Sequence, residues 1–550
     1  MIGLEFQSAH AGAAGELGEL FKTPMEPVVE GGDYDVLLST TGESAPGLRR
    51  LSLYFSDAPL PCDAELGFRV GAAVVEGPGE DVLLDGRHGP VVGRRVRTGE
   101  ATVCRFAYDV LALVETLLTG GQPASQAPVP TLELHIAMLR RLILEARVPL
   151  VEVAPAPAST RFVACFTHDV DFHRLSDHFL DRTHIGFAYR ATVGSALAAL
   201  RRRMTAADLG RNLGAFLTQP LARLGLTRDP FDCVAEYLKA EPSGSSTFFF
   251  VPRAKTPGAA GPPLWAPGSA APLTDAVPDH RAVRYDAADL AGTMQLIRTR
   301  GGEIATHGLD GWHDAARGED ERRRIEDISG SRVRGNRTHW LWQTPSSPQM
   351  LEEAGYLYDS SVGYNDAVGF RAGTTQPYRP AGCLSLLELP LAVQDTALLY
   401  PGRMGLSPTD AVAAGTEVVD RVAAFGGLLV VNWHHRSLGP ERLWGEVYRG
   451  IRRCIAAHRV WETTAGEACR WYQARRAIRF AEVGDAERRR VIVTANAASG
   501  LPPFSVVIRT PAGGNRRQPL RHGAVHTEPL HAASDADLHP QWTETHPTSA

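Results

Sequence analysis

Three short stretches of this chain bring together residue types that could hold a metal and move protons. The first is Thr167-His168-Asp169-Val170-Asp171, with two carboxylates either side of a valine. The second is His307-Gly308-Leu309-Asp310-Gly311-Trp312-His313, and the third is Asn432-Trp433-His434-His435. One carboxylate and two neutral imidazoles form the usual ligand set of a hydrolytic zinc that keeps one position open. Asp171, His307 and His313 supply those types. The two imidazoles are spaced wider than one helical turn, so a bend at Gly311 would have to bring them together. A fourth stretch, Arg337-Thr338-His339-Trp340, offers a guanidinium that would hold a neighbouring carboxylate ionised. Each feature has a plainer explanation. Asp-x-Asp also marks turns and solvated edges, His313 stands beside Asp314 as a surface residue would, and an arginine is as often half of an ordinary ion pair.

What raises these residues above their plain explanations is where the neighbouring elements place them. Phe162-Val163-Ala164-Cys165-Phe166 is short, continuous and rich in β-formers, as buried strands are. It delivers Asp169 and Asp171 at its C-terminal tip. Gly302–Thr306 does the same for His307, and Leu428–Asn432 for His434. Further strands are expected at 247–251 and 386–389. Helices are expected from Ser347-Pro348 and from Ser407-Pro408 to about Ala424, since Ser followed by Pro is a helix start. Strands alternating with helices argue for a parallel sheet or barrel, which carries its chemistry at the C-terminal tips.

Around that region the chain reads as follows. Residues 1–155 mix strand patterns (Leu51–Phe55, Ala101–Phe106) with helical ones (Tyr108–Leu118, Leu132–Leu144) and hold no catalytic cluster. They are expected to form a small α+β accessory domain, closed by the linker-like Val153–Ser159. Residues 160–478 form the alternating unit. It contains a helical, Arg- and Ala-rich insertion at about 185–240 and a Pro/Gly/Ala-rich loop at 254–282. Residues 479–550 are an extension with strand-like patches at 490–494 and 504–508, expected to be largely disordered after 511.

Composition excludes several classes. A hydrophobic content of 44% and a charged content of 22% are those of a globular protein with a sizeable core. The net charge of -5 favours neither nucleic-acid binding nor attraction to anionic lipid. No apolar run is long enough for a membrane span. The first residues lack the basic-then-apolar pattern of a secretory signal. The 7 cysteines are scattered and none forms a Cys-x-x-Cys pair, which argues against a disulfide scaffold or zinc finger and for a reducing, cytoplasmic setting.

The order of these motifs resembles the polysaccharide deacetylase (NodB homology, carbohydrate esterase family 4) domain, over residues 160–478. Thr167–Asp171 resembles that family's first motif, His307…His313 its second, Arg337–Trp340 its third and Asn432-Trp433-His434 its last. Thr-His-Asp-Val-Asp and Gly369-Phe-Arg371-Ala-Gly373 are similar to a divergent bacterial branch. The resemblance implies an α/β fold with an incomplete (β/α)7 barrel. It implies a divalent metal, zinc above all, on Asp171, His307 and His313, with Asp169 as base and Arg337 holding it ionised. Val170 separates two carboxylates that the family has adjacent, so the roles of Asp169 and Asp171 could be exchanged. His434 is implied as general acid, and Trp340 and Arg371 as substrate contacts; Asp395, in Leu389-Pro-Leu-Ala-Val-Gln-Asp395, is a candidate from the sequence itself for the group that orients His434. The implied activity is removal of N-acetyl groups from a carbohydrate. Cleavage of another non-peptide C–N amide, or a decayed sugar-binding barrel, are the alternatives.

Overall fold

The computed structural model describes residues 1–44, 49–71, 73–85, 89–202, 204–259, 281–483, 490–496, 498–521, 523 and 525–529. The chain is a mixed α/β protein built around an incomplete barrel. Nine strands form that sheet, and every pairing within it is parallel. From one edge to the other they run Leu387–Glu388, Tyr358–Asp359, Gly335–Thr338, Glu303–Gly308, Ser246–Phe250, Phe162–Val170, Leu428–Asn432 and Leu391–Gln394, with Val460–Glu462 paired to Phe162–Ala164. The two edge strands are neighbours in the chain, separated only by Leu389-Pro390. Proline has no N–H to give a ladder, and the curled sheet stays open there.

The strand Phe162–Val170 shows how the barrel sorts its side chains. Phe162, Ala164, Phe166 and Val170 face the core shared with the helices, while Val163 and Cys165 face the barrel interior. The alternation is that of any pleated strand, and it carries Thr167 and Asp169 inward. The same face of Glu303–Gly308 carries Ala305 and then His307, and that of Leu428–Asn432 carries Val430 and then Asn432. The outer layer includes Ala291–Thr299, Ala315–Ser329, Pro408–Phe425 and Trp444–Ala456.

Four barrel strands escaped the hydrophobic pattern, among them Gly335-Asn-Arg-Thr338. All four of its residues are buried and none is a β-branched or aromatic hydrocarbon. It is a strand because its polar groups find partners: Arg337 donates to the Ser360 carbonyl at 2.9 Å and Asn336 donates to Asp359 at 2.9 Å.

The N-terminal residues form a seven-stranded mixed sheet with helices Ala11–Phe21, Val110–Thr119 and Thr131–Glu145. Its first five strands are parallel, and Val91–Thr98 and Glu80–Leu84 are added antiparallel. The segment after it is not a free linker. Ala154 N–H donates to Ser505, and Arg475 donates to the carbonyls of Val153 and Ala154. The end of the chain also differs from expectation. Asn515–Leu520 pairs with Phe504–Arg509, which pairs with Leu150–Val153, and Val525–Pro529 pairs with Arg490–Thr494. Asn515–Leu520 is exposed over most of its length and so carries no hydrophobic pattern for a sequence to show. Residues 530–550, and 260–280 of the expected long loop, lie outside the described residues.

Candidate active site

At the C-terminal tips of the barrel strands, three groups converge. Asp171 Oδ1 lies 3.2 Å from His307 Nε2 and 3.4 Å from His339 Nδ1, and the two imidazole nitrogens are 2.9 Å apart. Each ring has its other nitrogen against a backbone carbonyl: His307 Nδ1 at 2.8 Å from Arg337 O, and His339 Nε2 at 3.1 Å from Arg281 O. A carbonyl accepts, so each of those nitrogens carries the proton of its neutral ring. The lone pairs of His307 Nε2 and His339 Nδ1 are left facing each other and the carboxylate. Asp171 Oδ1 is buried and makes no hydrogen bond. Three acceptors pointed at one spot repel unless a cation lies between them, so this donor set fits a divalent metal. Carbonyls behind metal-binding imidazoles are the usual orienting contacts.

The cluster contains His339 and not His313. His313 is exposed, its Nε2 3.4 Å from Asp310 Oδ1 within the same loop. Asp310 is in turn held by Arg317 at 3.0 Å. The loop does turn around Gly311, with the His313 and Asp314 N–H groups donating to Asp310 O, but Leu309 and Asp310 N–H are tied to Glu321 and the turn leaves His313 against Asp310. His339 reaches the cluster through the adjacent strand: it stands two residues after Arg337, at the tip of Gly335–Thr338. The available signal was that spacing, strand-tip histidine after inward arginine. Periodicity gave no sign that the segment was a strand.

Asp169 sits one layer deeper. Arg337 donates to its Oδ1 at 2.9 Å and Asn432 to its Oδ2 at 2.7 Å. Burial pushes this carboxyl up, but Arg337, with His307 and His434, outweighs it and holds Asp169 below the usual carboxylate range. Arg337 is fully buried, fixed by Thr167 Oγ1 and by Ser360 O and Oγ. Thr167 and Asn432 lie inside motifs read from the sequence but have no role of their own there, and nothing in the sequence separates Ser360 from ordinary polar residues.

His434 faces the cluster from the other side, its Nε2 3.5 Å from Asp171 Oδ2. Its Nδ1 lies 2.6 Å from Asp395 Oδ1, and Asp395 Oδ2 accepts the His434 N–H at 2.9 Å. Burial would lower the imidazole, but Asp395, Asp171 and Asp169 outweigh it and raise it to about 9. The backbone around it is pinned from behind: His168 Nδ1 donates to Trp433 O and Tyr237 Oη to His434 O, both at 2.9 Å. His435 is turned away and buried, its ring lowered to about 4 chiefly by burial.

The two expected substrate contacts part company. Trp340 is partly exposed, its ring 5.9 Å from His339 and 5.6 Å from Trp342. Its backbone takes φ 66°, a left-handed conformation uncommon for a bulky residue. Arg371 is buried against the N-terminal unit instead. Its carbonyl accepts Gln122 N–H at 2.7 Å, its guanidinium donates to Gly363 O, and it packs over Tyr364. Gly-Phe-Arg-Ala-Gly is a docking seam: at Gly369, φ 137°, a Cβ would collide with the Ala127 carbonyl.

No family model matches this chain, and no curated protein does. Among solved structures it is similar to a protein of Mycobacterium smegmatis assigned as a polysaccharide deacetylase, at 19% identity and a TM-score of 0.33 over 59% of this chain and 96% of that one. It is similar to one assigned likewise from Pseudomonas aeruginosa, at 14% identity and a TM-score of 0.34 over 56% and 90%. An allantoinase matches at 15% identity and a TM-score of 0.33 over 58% and 92%. At these values, function has to be read from the chain's own residues.

Proposed function

We infer that this protein is a metal-dependent hydrolase that removes N-acetyl groups from a carbohydrate. The reading rests on one observation. An Asp171–His307–His339 donor set lies between a carboxylate held ionised, Asp169, and a histidine kept protonated, His434. A divalent cation there, zinc being the simplest choice for this N,N,O set, would supply Lewis-acid polarisation of an amide carbonyl and acidify water. Asp169 accepts the proton of the attacking water. Each of its oxygens holds only one donated hydrogen bond, so a lone pair is free for the task. His434 gives the Nε2 proton to the leaving nitrogen as the C–N bond breaks, and Asp395 holds the ring in the orientation that does so. Acid and amine are the two products. Trp340, with its apolar face partly open beside His339, provides a surface on which a sugar ring can stack.

The test is a pair of substitutions on the full-length protein. His339→Ala should abolish stoichiometric zinc by elemental analysis, together with deacetylation of N-acetylglucosamine oligomers and of lipid-linked glycans. His313→Ala should keep both. Zinc retained by His339→Ala would refute the ligand set. Zinc bound but no acetyl group released, with another non-peptide amide cleaved instead, would move the assignment to a different C–N bond.

A further inference from the structure

The whole chain is acidic, but one segment is not. Residues 179–228, within the insertion that follows the first barrel strand, carry eight arginines against two aspartates and no other charged residue. The rest of the chain is correspondingly more acidic than the total suggests. The segment folds as a run of short helices, Arg182–Tyr189, a wide turn at Arg190–Gly194, Ser195–Leu200, Ala206–Leu217 and Gln219–Arg223.

The same segment exposes hydrocarbon to an unusual degree. Of 19 large apolar side chains exposed among the described residues, 12 lie between Phe179 and Leu226. Leu200 is 81% exposed, Leu224 72%, Leu217 71% and Leu226 70%. Single exposed leucines need no explanation, but a contiguous set on one insertion does. The insertion is anchored at the barrel mouth, because Leu175, Phe187, Ala191 and Phe231 form a cluster against Phe172, the residue after Asp171. No described helix is long and apolar enough to cross a membrane.

We propose that this insertion docks the protein onto the surface of an anionic lipid bilayer, with its leucines among the acyl chains and its arginines among the headgroups. Apolar and cationic residues on short helices that do not span are the composition of an interfacial anchor. Arg190, Arg211 and Arg228 are ion-paired with neighbouring carboxylates, but the face stays net positive, which decides against a second copy as the occupant: two such faces would oppose like charge, whereas an anionic headgroup layer complements them. Arg201 and Arg202 are exposed, next to Leu200, and neither has an ion-pair partner among the described residues. Docked this way, the mouth that holds Asp171 and His434 opens at the lipid headgroups. The inference goes beyond the hydrolase reading and is measured without substrate or metal, so either can fail alone.

The experiment is co-sedimentation of the full-length protein with vesicles of phosphatidylcholine and with vesicles of an equal mixture with phosphatidylglycerol. Binding to the mixed vesicles should be the stronger and should weaken as salt is added. Combined Leu200→Ser, Leu217→Ser and Leu224→Ser should lower the partition coefficient at least about tenfold. Arg201→Gln with Arg202→Gln, at exposed positions, should weaken binding and flatten its salt dependence even where the leucine variant fails to fold. Equal binding to both vesicle types, or arginine and leucine variants that bind like the wild type, would overturn the proposal. So would a lipid-free dimer in sedimentation velocity that the leucine substitutions split, which would give this face to a second copy.

Discussion

Asp169 and Asp171 are chemically identical and two positions apart, yet their surroundings give them different work. Asp169 is fixed by one donor on each oxygen, a guanidinium on Oδ1 and an amide on Oδ2, which leaves it a free lone pair for a proton; Asp171 Oδ1 is buried beside two imidazole lone pairs and has no donor at all. Asp169→Asn should therefore keep zinc and lower turnover roughly 100- to 10,000-fold, the scale for losing a general base. Zinc lost in Asp169→Asn and kept in Asp171→Asn would exchange the two roles. His434 gives a prediction about pH. Its folded value, about 9, lies above the ordinary 6.5, so its protonation stabilises the fold in full below 6.5, and that contribution disappears as pH rises through about 9. In the metal-free protein, NMR titration of the His434 ring should give a midpoint well above 6.5. Asp395→Asn, which keeps the shape and removes the charge, should bring that midpoint down and flatten the alkaline loss of thermal stability. An unshifted midpoint would remove Asp395 as the ring's partner.

At the scale of elements, the short strand Gly335–Thr338 does the most for the site. It presents Arg337 inward to Asp169, supplies the carbonyl that orients His307, and ends one residue before His339. Its position depends on Gly335, where any Cβ would enter the Tyr358 ring on the adjacent strand. Gly335→Ala should push the strand outward, destabilising the protein by about 1–3 kcal/mol as overpacking does. Zinc affinity should fall with it, because His339 and the Arg337 carbonyl move together. Calorimetry and metal titration on the same sample check both; a normal melting temperature with normal zinc binding would mean the strand has slack. The turn after it holds Trp340 and Leu341 at φ 66° and 59°. Such strain costs about 1–3 kcal/mol per residue and places the Trp340 ring beside the cluster.

At the scale of the molecule, the N-terminal unit and the chain's end are parts of the barrel's support. Glu133 accepts from Thr374 and Thr375, Gln376 donates to Leu20 O, and Glu16 pairs with Arg476 and Arg379. Leu150–Val153 supplies the neighbouring strand for Phe504–Arg509. Residues 153–159 read as a linker that would let the barrel fold alone. With these contacts in place, a chain beginning at Pro157 should be insoluble or melt without a cooperative transition, since it would leave buried partners of Glu133 unpaired and an apolar edge open. A soluble fragment with a sharp melt and full zinc would restore the linker reading. Charge is also distributed at this scale: a net of -5 conceals the basic stretch 179–228, so the whole-chain charge is no guide to the partner proposed for that insertion.

Strands with an apolar pattern were legible in the sequence: Phe162–Val170, Ser246–Phe250, Glu303–Gly308 and Leu428–Asn432 carry their own hydrophobic signal, so Asp169, Asp171, His307 and His434 could be placed at strand tips. The alternation of a pleated strand then sent Asp169 inward. Burial of hydrocarbon drives those elements, and hydrocarbon is visible in a sequence. Strands held by polar pairing were not legible, and neither was anything that depended on them. Whether His313 or His339 completes the donor set was decided by which backbone carbonyls orient the rings and by Glu321 holding the His313 loop away. The fate of Arg371 was decided by the docking of Gly369–Gly373 against Gln122 and Ala127. These are contacts between residues far apart in the chain, and only the tertiary structure sets the distances over which hydrogen bonds and charges act.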